Sequence, residues 1–169
     1  ITPGANAIIY YAIRCLVNEG EEVIVPDPGF PTYFSAIKFC GAKAVPVPLR
    51  EKNKHQLKFN DLKKLITEKT KLVIINSPSN PTGSVISKED IRQIYQLCYE
   101  KGIFILSDEI YSRSVFQDQG KFYSPSMIDH CNNNVLILNG FSKAFAMTGW
   151  RIGVAIGPQH LIEKMGLLL

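Results

Sequence analysis

The sequence has no apolar run that approaches the length of a membrane-spanning helix, and no signal peptide is visible. It also has no large excess of charge, because 19 Lys and Arg residues are mixed along the chain with 15 Asp and Glu residues, for a net charge of +4. Such mixing is typical of solvated surfaces and argues against a nucleic-acid-binding stripe. We therefore expect neither a membrane nor a nucleic acid as a partner.

Metal-binding and redox patterns are missing as well. The four cysteines, Cys15, Cys40, Cys98 and Cys131, are far apart, and no pair has the spacing of zinc ligands or of a redox motif. We predict free thiols in a reducing compartment, hence a cytoplasmic location, and no metal site. Cys15 and Cys98 fall in apolar helical patterns, which favours a place in the core.

What the sequence does contain is an alternation of short apolar strands and amphipathic helices over 169 residues, enough for one domain with a real core. This alternation predicts an α/β fold in three αβα layers, with a mainly parallel sheet between helices. The expected strands are 22–25, 44–47, 72–75, 103–106, 135–138 and 152–156. The expected helices are 5–17, 31–39, 61–68 with Asn60 as cap, 88–101 with Ser87 as cap, and 159–169. The segment 117–134 is expected to be an ordered loop.

Residues that could carry chemistry follow the apolar strands. In open parallel sheets, ligands bind beyond the carboxyl ends of the strands. The residues that follow predicted strands are Phe30, Asn80, Asp108, Tyr111, Ser142 and Lys143. Since these residue types recur at one expected edge of the sheet, the pattern predicts one shared pocket.

Lys143 is the most informative of these residues, because it follows an apolar strand and precedes Arg151 by eight positions. A lysine in a partly desolvated pocket near another cation has a lowered pKa, so its neutral amine can attack a carbonyl and form a Schiff base. Arg151 can hold a phosphate with its fork of N–H donors. Pyridoxal phosphate is an aldehyde cofactor that needs both residues.

The other candidates suit the rest of such a cofactor. Asp108 could pair with a protonated pyridine nitrogen, and Tyr111 and Asn80 could donate hydrogen bonds to a phenolic oxygen. Phe30 offers a face for stacking on a ring. The stretch Gly4-Ala5-Asn6 opens a helix, whose free N–H groups can hold a phosphate.

Each candidate also has an ordinary structural explanation. The alternatives are a surface lysine at a helix start for Lys143, a helix cap for Asp108, packing for Tyr111, core for Phe30, a turn for Asn80 and a helix entry for Gly4.

These residues resemble the cofactor-binding large domain of the class I/II aminotransferases, the aspartate aminotransferase superfamily of fold-type I pyridoxal-phosphate enzymes. The resemblance covers essentially the whole chain. The matching runs begin at Thr2, Asp27, Asn76, Ser107 and Phe141, and read TPGAN, DPGFPTY, NSPSNPTG, SDEIY and FSK through GWRIG.

The resemblance implies a role for each residue. Lys143 would form the Schiff base with the cofactor and shuttle the proton. The backbone N–H groups of Ala5 and Asn6, with Ser142 and Arg151, would hold the phosphate. Asp108, Tyr111, Asn80 and Phe30 would contact the ring as described above. One departure stands out: many members have serine three residues before the lysine, where this chain has Gly140.

The resemblance also implies a seven-stranded sheet whose last strand is antiparallel. Six strands are counted here, so the first edge strand is expected to precede Ile1. Residues 1–169 would then form most of the large domain, without the N-terminal arm and the small domain. The intact protein is expected to be a homodimer.

The activity implied is transamination, in which an amino acid gives its nitrogen to the cofactor and a 2-oxo acid then takes it. The matching runs are most similar to the aspartate or aromatic branch. Three alternatives share the motifs: a β-eliminating lyase, an aminocyclopropane-carboxylate synthase-like enzyme, and the cofactor-binding sensor domain of a transcription regulator.

Overall fold

The fold was examined in a computed structural model, which describes residues 1–116, 121–128 and 133–169. Its strands are Thr2–Pro3 (β1), Glu22–Asp27 (β2), Lys43–Pro48 (β3), Thr70–Asn76 (β4), Phe104–Asp108 (β5), Val135–Gly140 (β6) and Ile152–Ile156 (β7). Its α-helices are Ala5–Leu16 (α1), Pro31–Phe39 (α2), Phe59–Lys63 (α3), Lys88–Glu100 (α4) and Gln159–Gly166 (α5). The predicted loop 117–134 falls partly, and Cys131 wholly, outside the described residues.

All seven strands form one sheet in the order β1-β7-β6-β5-β4-β2-β3. The pairs from β6 through β3 are parallel, and β7 is antiparallel to both of its neighbours. This arrangement confirms the predicted mainly parallel, seven-stranded α/β sheet.

The expectation of six strands, with the first edge strand before Ile1, was wrong. The described residues contain seven strands, and the first edge strand is Thr2–Pro3. Thr2 and Pro3 pair with Gly153 and Ile152 of β7 and so occupy the edge of the sheet. A two-residue strand is too short to show a period-two pattern, and its proline is tolerated because β1 lies at the edge of the sheet.

The sheet separates two apolar cores because successive side chains of a strand point to opposite faces. In β4, Leu72 and Ile74 pack with helices α1, α2 and α5, whereas Val73 and Ile75 pack with α3 and α4. Burial on both faces explains why the central strands are continuous apolar runs. The helices on the two faces complete the predicted three layers.

Helix α3 differs from the prediction of a helix over 61–68 capped by Asn60. The helix begins at Phe59, whose N–H donates to Asp90 Oδ1 at 2.9 Å, so a tertiary contact takes the place of the expected cap. It ends at Lys63, and Thr67 instead donates its hydroxyl to Glu22 Oε2 at 2.6 Å. The Thr67 N–H donates to Thr70 Oγ1 at 3.0 Å, and local side-chain-to-backbone hydrogen bonds of this kind compete with helix formation.

The predicted cap of α4 is confirmed, since Ser87 Oγ accepts from the Asp90 N–H at 3.1 Å. Three of the predicted free thiols are also confirmed: Cys98 is fully buried, and Cys15 and Cys40 are half-buried. Among the described residues, no helix is both long and apolar enough to cross a membrane.

Candidate active site

The candidate site lies where four neighbouring strands of the sheet end. Strands β6, β5, β4 and β2 are adjacent and parallel, so their carboxyl ends meet at one edge. The register places Asn76 of β4 beside Asp108 of β5, and Asp108 beside Leu138 of β6. The tertiary structure therefore brings together segments that are far apart in the sequence.

A cavity of about 270 Å³ opens at this edge. The predicted site residues that line it are Ala5, Asn6, Phe30, Asn80, Asp108, Tyr111, Ser142, Lys143 and Arg151. Ile9, Ile110 and Leu138 supply apolar wall, and Tyr33, Asn76 and Thr148 add polar groups that were not predicted from the sequence. The shared pocket expected from the strand ends is thus present.

Asp108 is the buried acid of the cavity, at the last position of β5. Its side chain accepts hydrogen bonds from the Ile110 N–H at 3.1 Å on Oδ1 and from the Tyr33 hydroxyl at 2.5 Å on Oδ2. Burial raises the pKa of Asp108 to about 6, against the lowering effect of these two hydrogen bonds. A carboxylate in such a place is poised to pair with a cationic group of a ligand.

Tyr33 was missed, although it lies in the matching run that contains Phe30. It is fully buried, and its ring meets that of Phe30 edge-on at a centroid distance of 5.6 Å. The signal available was their spacing of three residues, which puts both on one face of a helix at the start of α2.

Asn76 was also missed, because the predicted strand ended one residue before it. Its amide Nδ2 donates to the Asp108 carbonyl at 3.1 Å, and its Oδ1 accepts from the Asn80 N–H at 2.7 Å. Asn76 therefore connects the segment that carries Asn80 to the strand that carries Asp108. A polar residue at the end of an apolar strand was the signal.

Lys143 faces the cavity from the segment after β6, but it is exposed. Its Nζ lies 5.9 Å from the centroid of the Tyr111 ring. The desolvation expected for Lys143 stays a prediction, because Lys143 stands on the open side of the cavity. The described residues place an amine there without covering it.

Arg151 reaches the cavity from the start of β7. Its Nη1 donates to the Thr148 carbonyl at 3.0 Å and to Ser142 Oγ at 3.4 Å. Arg151 has a left-handed backbone with φ of 51°, which is uncommon for residues other than glycine and clusters at functional sites. The guanidinium and the Ser142 hydroxyl thus lie side by side.

Gly4 does not line the cavity, in contrast to the other predicted site residues. It precedes helix α1 with φ of 84°, and a Cβ atom built on it would overlap the Arg151 guanidinium. Gly4 therefore acts indirectly, by leaving room for Arg151. Helix α1 has no side-chain cap and no acidic residue in its first turn, so the N–H groups at Ala5 and Asn6 remain available beside this cation.

Gly140, the departure from the family pattern, is enclosed by backbone. A Cβ atom at this position would lie 2.9 Å from the Ile152 carbonyl oxygen and 3.2 Å from Ile110 Cδ1. A serine cannot be placed there unless the backbone of β7 shifts. The structure thus explains why a hydroxyl is absent at position 140, and Ser142 supplies one near Arg151 instead.

The donor set fits pyridoxal phosphate. The cavity has a buried carboxyl group at Asp108, an amine at Lys143, and an end at which Arg151, Ser142 and the start of α1 could hold an anion. These groups correspond to the pyridine nitrogen, the aldehyde and the phosphate of that cofactor. Among the described residues there is no group of three or more His, Cys, Asp or Glu that could hold a metal ion.

An amine, a buried carboxyl group and a guanidinium around one cavity of an α/β sheet are the groups that the class of pyridoxal-phosphate enzymes requires. In agreement, the sequence model of the family "Aminotransferase class I and II" matches residues 1–168. The chain belongs to this family, whose members of the aspartate aminotransferase type depend on pyridoxal phosphate.

Named relatives support this assignment. The chain is 43% identical to an aspartate aminotransferase of Pyrococcus abyssi, over 96% of this chain and 41% of the relative. It is 41% identical to aromatic-amino-acid aminotransferase 2 of Thermococcus litoralis, over 98% of this chain and 42% of that protein. The chain thus spans about two fifths of the length of the curated relatives it matches.

Solved structures agree on the fold. The aromatic aminotransferase of Pyrococcus horikoshii superposes with a TM-score of 0.94 at 38% identity, covering 99% of this chain and 44% of that one. The aspartate aminotransferase of Thermus thermophilus with maleate gives a TM-score of 0.94 at 34% identity, covering 99% and 43%.

Proposed function

We propose that this chain supplies the cofactor-binding part of a pyridoxal-phosphate-dependent aminotransferase, which moves an amino group from an amino acid to a 2-oxo acid in a ping-pong cycle. The observation that carries the proposal is the convergence of Lys143, Asp108 and Arg151 on one cavity. The family match and the names of the relatives support it. Aspartate and aromatic amino acids are the first donors to test.

Pyridoxal phosphate supplies an electron-poor ring that accepts the electron pair left behind when a proton leaves the substrate Cα. Lys143 would hold the aldehyde end through Nζ and, as general base, carry that proton. Its position on the open side of the cavity suits this role, because the substrate must approach from there. Tyr111, whose ring lies beside Nζ, would contact the phenolic oxygen together with Asn80.

The other residues of the cavity would hold the cofactor and orient its ring. Asp108 would keep the ring nitrogen protonated by pairing with it, and Phe30 would stack on the ring face. Arg151, Ser142 and the N–H groups of Ala5 and Asn6 would bind the phosphate, which needs several donors for its oxygens.

We further propose that the intact protein is a cytoplasmic homodimer, and that a small domain and an N-terminal arm belong to the length of the relatives that this chain does not match. The exposed rings of Phe145 and Trp150, which lie close in sequence to Lys143 and Arg151, support a covering partner, and the free thiols of the described cysteines support a reducing compartment. Sedimentation of the full-length protein checks the dimer, and a monomeric active enzyme would contradict it.

The activity is tested with the full-length protein and added pyridoxal phosphate. Addition of an amino acid donor should change the absorbance of the bound cofactor, and a 2-oxo acid should restore it, because the two halves of a ping-pong cycle are separable. Product analysis should show the oxo acid of the donor. No spectral response to any common amino acid would count against transamination, and formation of pyruvate and ammonia would favour β-elimination.

A further inference from the structure

Tyr33 has a hydroxyl group that its packing does not need. The residue is 0% exposed and lies in the apolar core between the sheet and helices α1 and α2. A phenylalanine would fill the same space without the cost of taking a hydroxyl group out of water. The hydroxyl must therefore be explained by its partner.

That partner is Asp108 Oδ2, at an O···O distance of 2.5 Å. This is the range of a charge-assisted hydrogen bond from a hydroxyl to a carboxylate. Burial, followed by the charge of Asp108, raises the pKa of the Tyr33 hydroxyl well above its ordinary value, so the hydroxyl keeps its proton and acts as donor. The direction of the hydrogen bond is thus fixed.

The two donors to Asp108 come from different elements and hold different oxygens. Ile110, just after β5, donates its N–H to Oδ1, and Tyr33 on α2 donates to Oδ2. Together they fix the plane of a carboxylate that is 5% exposed and still lines the cavity. A carboxylate has about four acceptor sites, so sites remain for a donor in the cavity.

We infer that Tyr33 is a positioning residue that orients Asp108 and keeps it ionised, and that it thereby keeps the ring nitrogen of the cofactor protonated. This inference rests on the proposed function of the site. A hydrogen bond to the charged form of a carboxyl favours that form. Without Tyr33, the more basic carboxyl would compete with the ring nitrogen for the proton. The helix turn that presents Phe30 to the ring would then also control the charge of the ring.

Other charges around Asp108 must be kept constant in a test of this idea. The titratable and charged groups near it are Tyr33 on α2, Glu109 and Tyr111 after β5, and Lys143 and Arg151 across the cavity. Its neighbours on β4 and β6, Asn76 and Leu138, do not titrate. A Tyr33→Phe substitution leaves all of these groups in place.

The first measurement uses the cofactor-free full-length protein, with the carboxyl carbon of Asp108 followed by NMR as pH is varied. Tyr33→Phe should raise the pKa of Asp108 by about one unit, since it removes a charge-assisted hydrogen bond. The matched control is Tyr123→Phe, which removes another buried hydroxyl that contacts the Met127 carbonyl in the opposite core. The control should leave the pKa of Asp108 unchanged.

The second measurement adds cofactor labelled with ¹⁵N in the ring. In Tyr33→Phe the ring-nitrogen resonance should move toward that of an unprotonated pyridine, and cofactor affinity should fall about tenfold. In an Asp108→Ala background the same substitution should change neither quantity, because Tyr33 acts through Asp108. A merely structural role of Tyr33 would not give this dependence.

If Tyr33→Phe does not fold, the same two measurements are made on the protein with 3-fluorotyrosine at position 33, and that variant alone tests the inference. Its more acidic hydroxyl donates more strongly and should lower the pKa of Asp108. The inference is overturned if both replacements leave the Asp108 pKa and the ring-nitrogen resonance as in the wild type. Failure of the wild type to bind the cofactor would instead refute the proposed function. The titration of the cofactor-free protein would still test whether Tyr33 lowers the pKa of Asp108.

Discussion

Gly4 lies directly against Arg151, so closely that a Cβ atom on residue 4 would overlap Nη2 of the guanidinium. The first residue before helix α1 and the first residue before β7 are thus fitted to each other, although 147 positions separate them in the sequence. This contact sets the place of the cation at the proposed phosphate end of the cavity.

Gly4→Ala should therefore displace Arg151 and weaken cofactor binding by about tenfold, because one fork of donors to the phosphate is lost. The same substitution should destabilise the fold by about 1 to 2 kcal/mol, since alanine is strained at φ of 84°. Fluorescence titration with pyridoxal phosphate measures the affinity, and urea unfolding measures the stability.

Gly20→Ala is the matched control, because Gly20 has φ of 78° and no atom within 4 Å of the added Cβ. This variant should show a similar loss of stability with unchanged cofactor affinity. Equal affinities in the two variants would mean that Gly4 has no part in placing Arg151.

Lys143→Ala should abolish covalent attachment of the cofactor and lower the transamination rate by at least about a hundredfold, since it removes both the amine and the general base. Borohydride reduction followed by mass spectrometry is the check: the wild type should gain the mass of the cofactor and the variant should not. Lys101→Ala, at an exposed lysine next to helix α4, should behave like the wild type. A modified chain in the Lys143 variant would assign the linkage to another lysine.

The stability of the cofactor-free protein should depend on pH through Asp108. Burial raises its pKa from 3.8 to about 6, so the folded state binds a proton that the unfolded state has already lost. Stability should therefore fall as pH rises from about 4 to about 6, by on the order of 3 kcal/mol, and stay low above that range. Asp108→Asn should lose most of this fall when urea unfolding is followed across the same range, and the pKa of Glu109, which burial also raises, should leave a smaller fall of the same sign.

Asp90 provides a control, because its pKa is shifted in the opposite direction to that of Asp108. Burial raises its pKa, but hydrogen bonds from Phe59, Ser87 and Lys58 outweigh that effect and hold the pKa below its ordinary value. The contribution of Asp90 to the free energy of unfolding should be present above the unfolded pKa and should be lost as pH falls.

If the stability of Asp108→Asn has the same pH profile as that of the wild type, the buried carboxylate of Asp108 is not the source of the slope.

Gly140→Ser, which installs the serine found in many family members, should destabilise this chain by about 1 to 3 kcal/mol and should not improve phosphate binding. The reason is the Ile152 carbonyl oxygen, only 2.9 Å from the added Cβ, which must move before the side chain fits. Thermal unfolding and cofactor titration measure the two effects. Gly149→Ser, where no atom lies within 4 Å, should change stability less. A stabilised, tighter-binding Gly140 variant would contradict this explanation of the departure.

Much of the site was predictable because polar residues at the ends of apolar strands are conspicuous. Asp108 and Lys143 each follow such a strand, and parallel pairing necessarily brings their strand ends to one edge. Tyr33 was not predicted, since it looks like an ordinary core residue until its hydrogen bond to Asp108 is seen. Asn76 was missed for another reason: the predicted strand ended at Ile75, one residue too early. The exposure of Lys143 was also beyond local pattern, because it depends on what covers the cavity.

The fold shows the same division. Period and composition predicted the α/β layers, since burial on both faces requires apolar strands. Period and composition did not predict the start of α3, which is set by the contact of Phe59 with Asp90 thirty-one residues away, or strand β1, which pairs with the distant β7.

The sequence by itself determined the layered α/β fold, the order of the motifs and the residue types available for chemistry, because these follow from local periodicity and from side-chain identity. Only the tertiary structure decided that Gly4 makes room for Arg151, that a side chain at Gly140 would force β7 to shift, and that Tyr33 donates a hydrogen bond to Asp108. Close packing and directed hydrogen bonds between distant segments fix these relationships, and no local pattern encodes them.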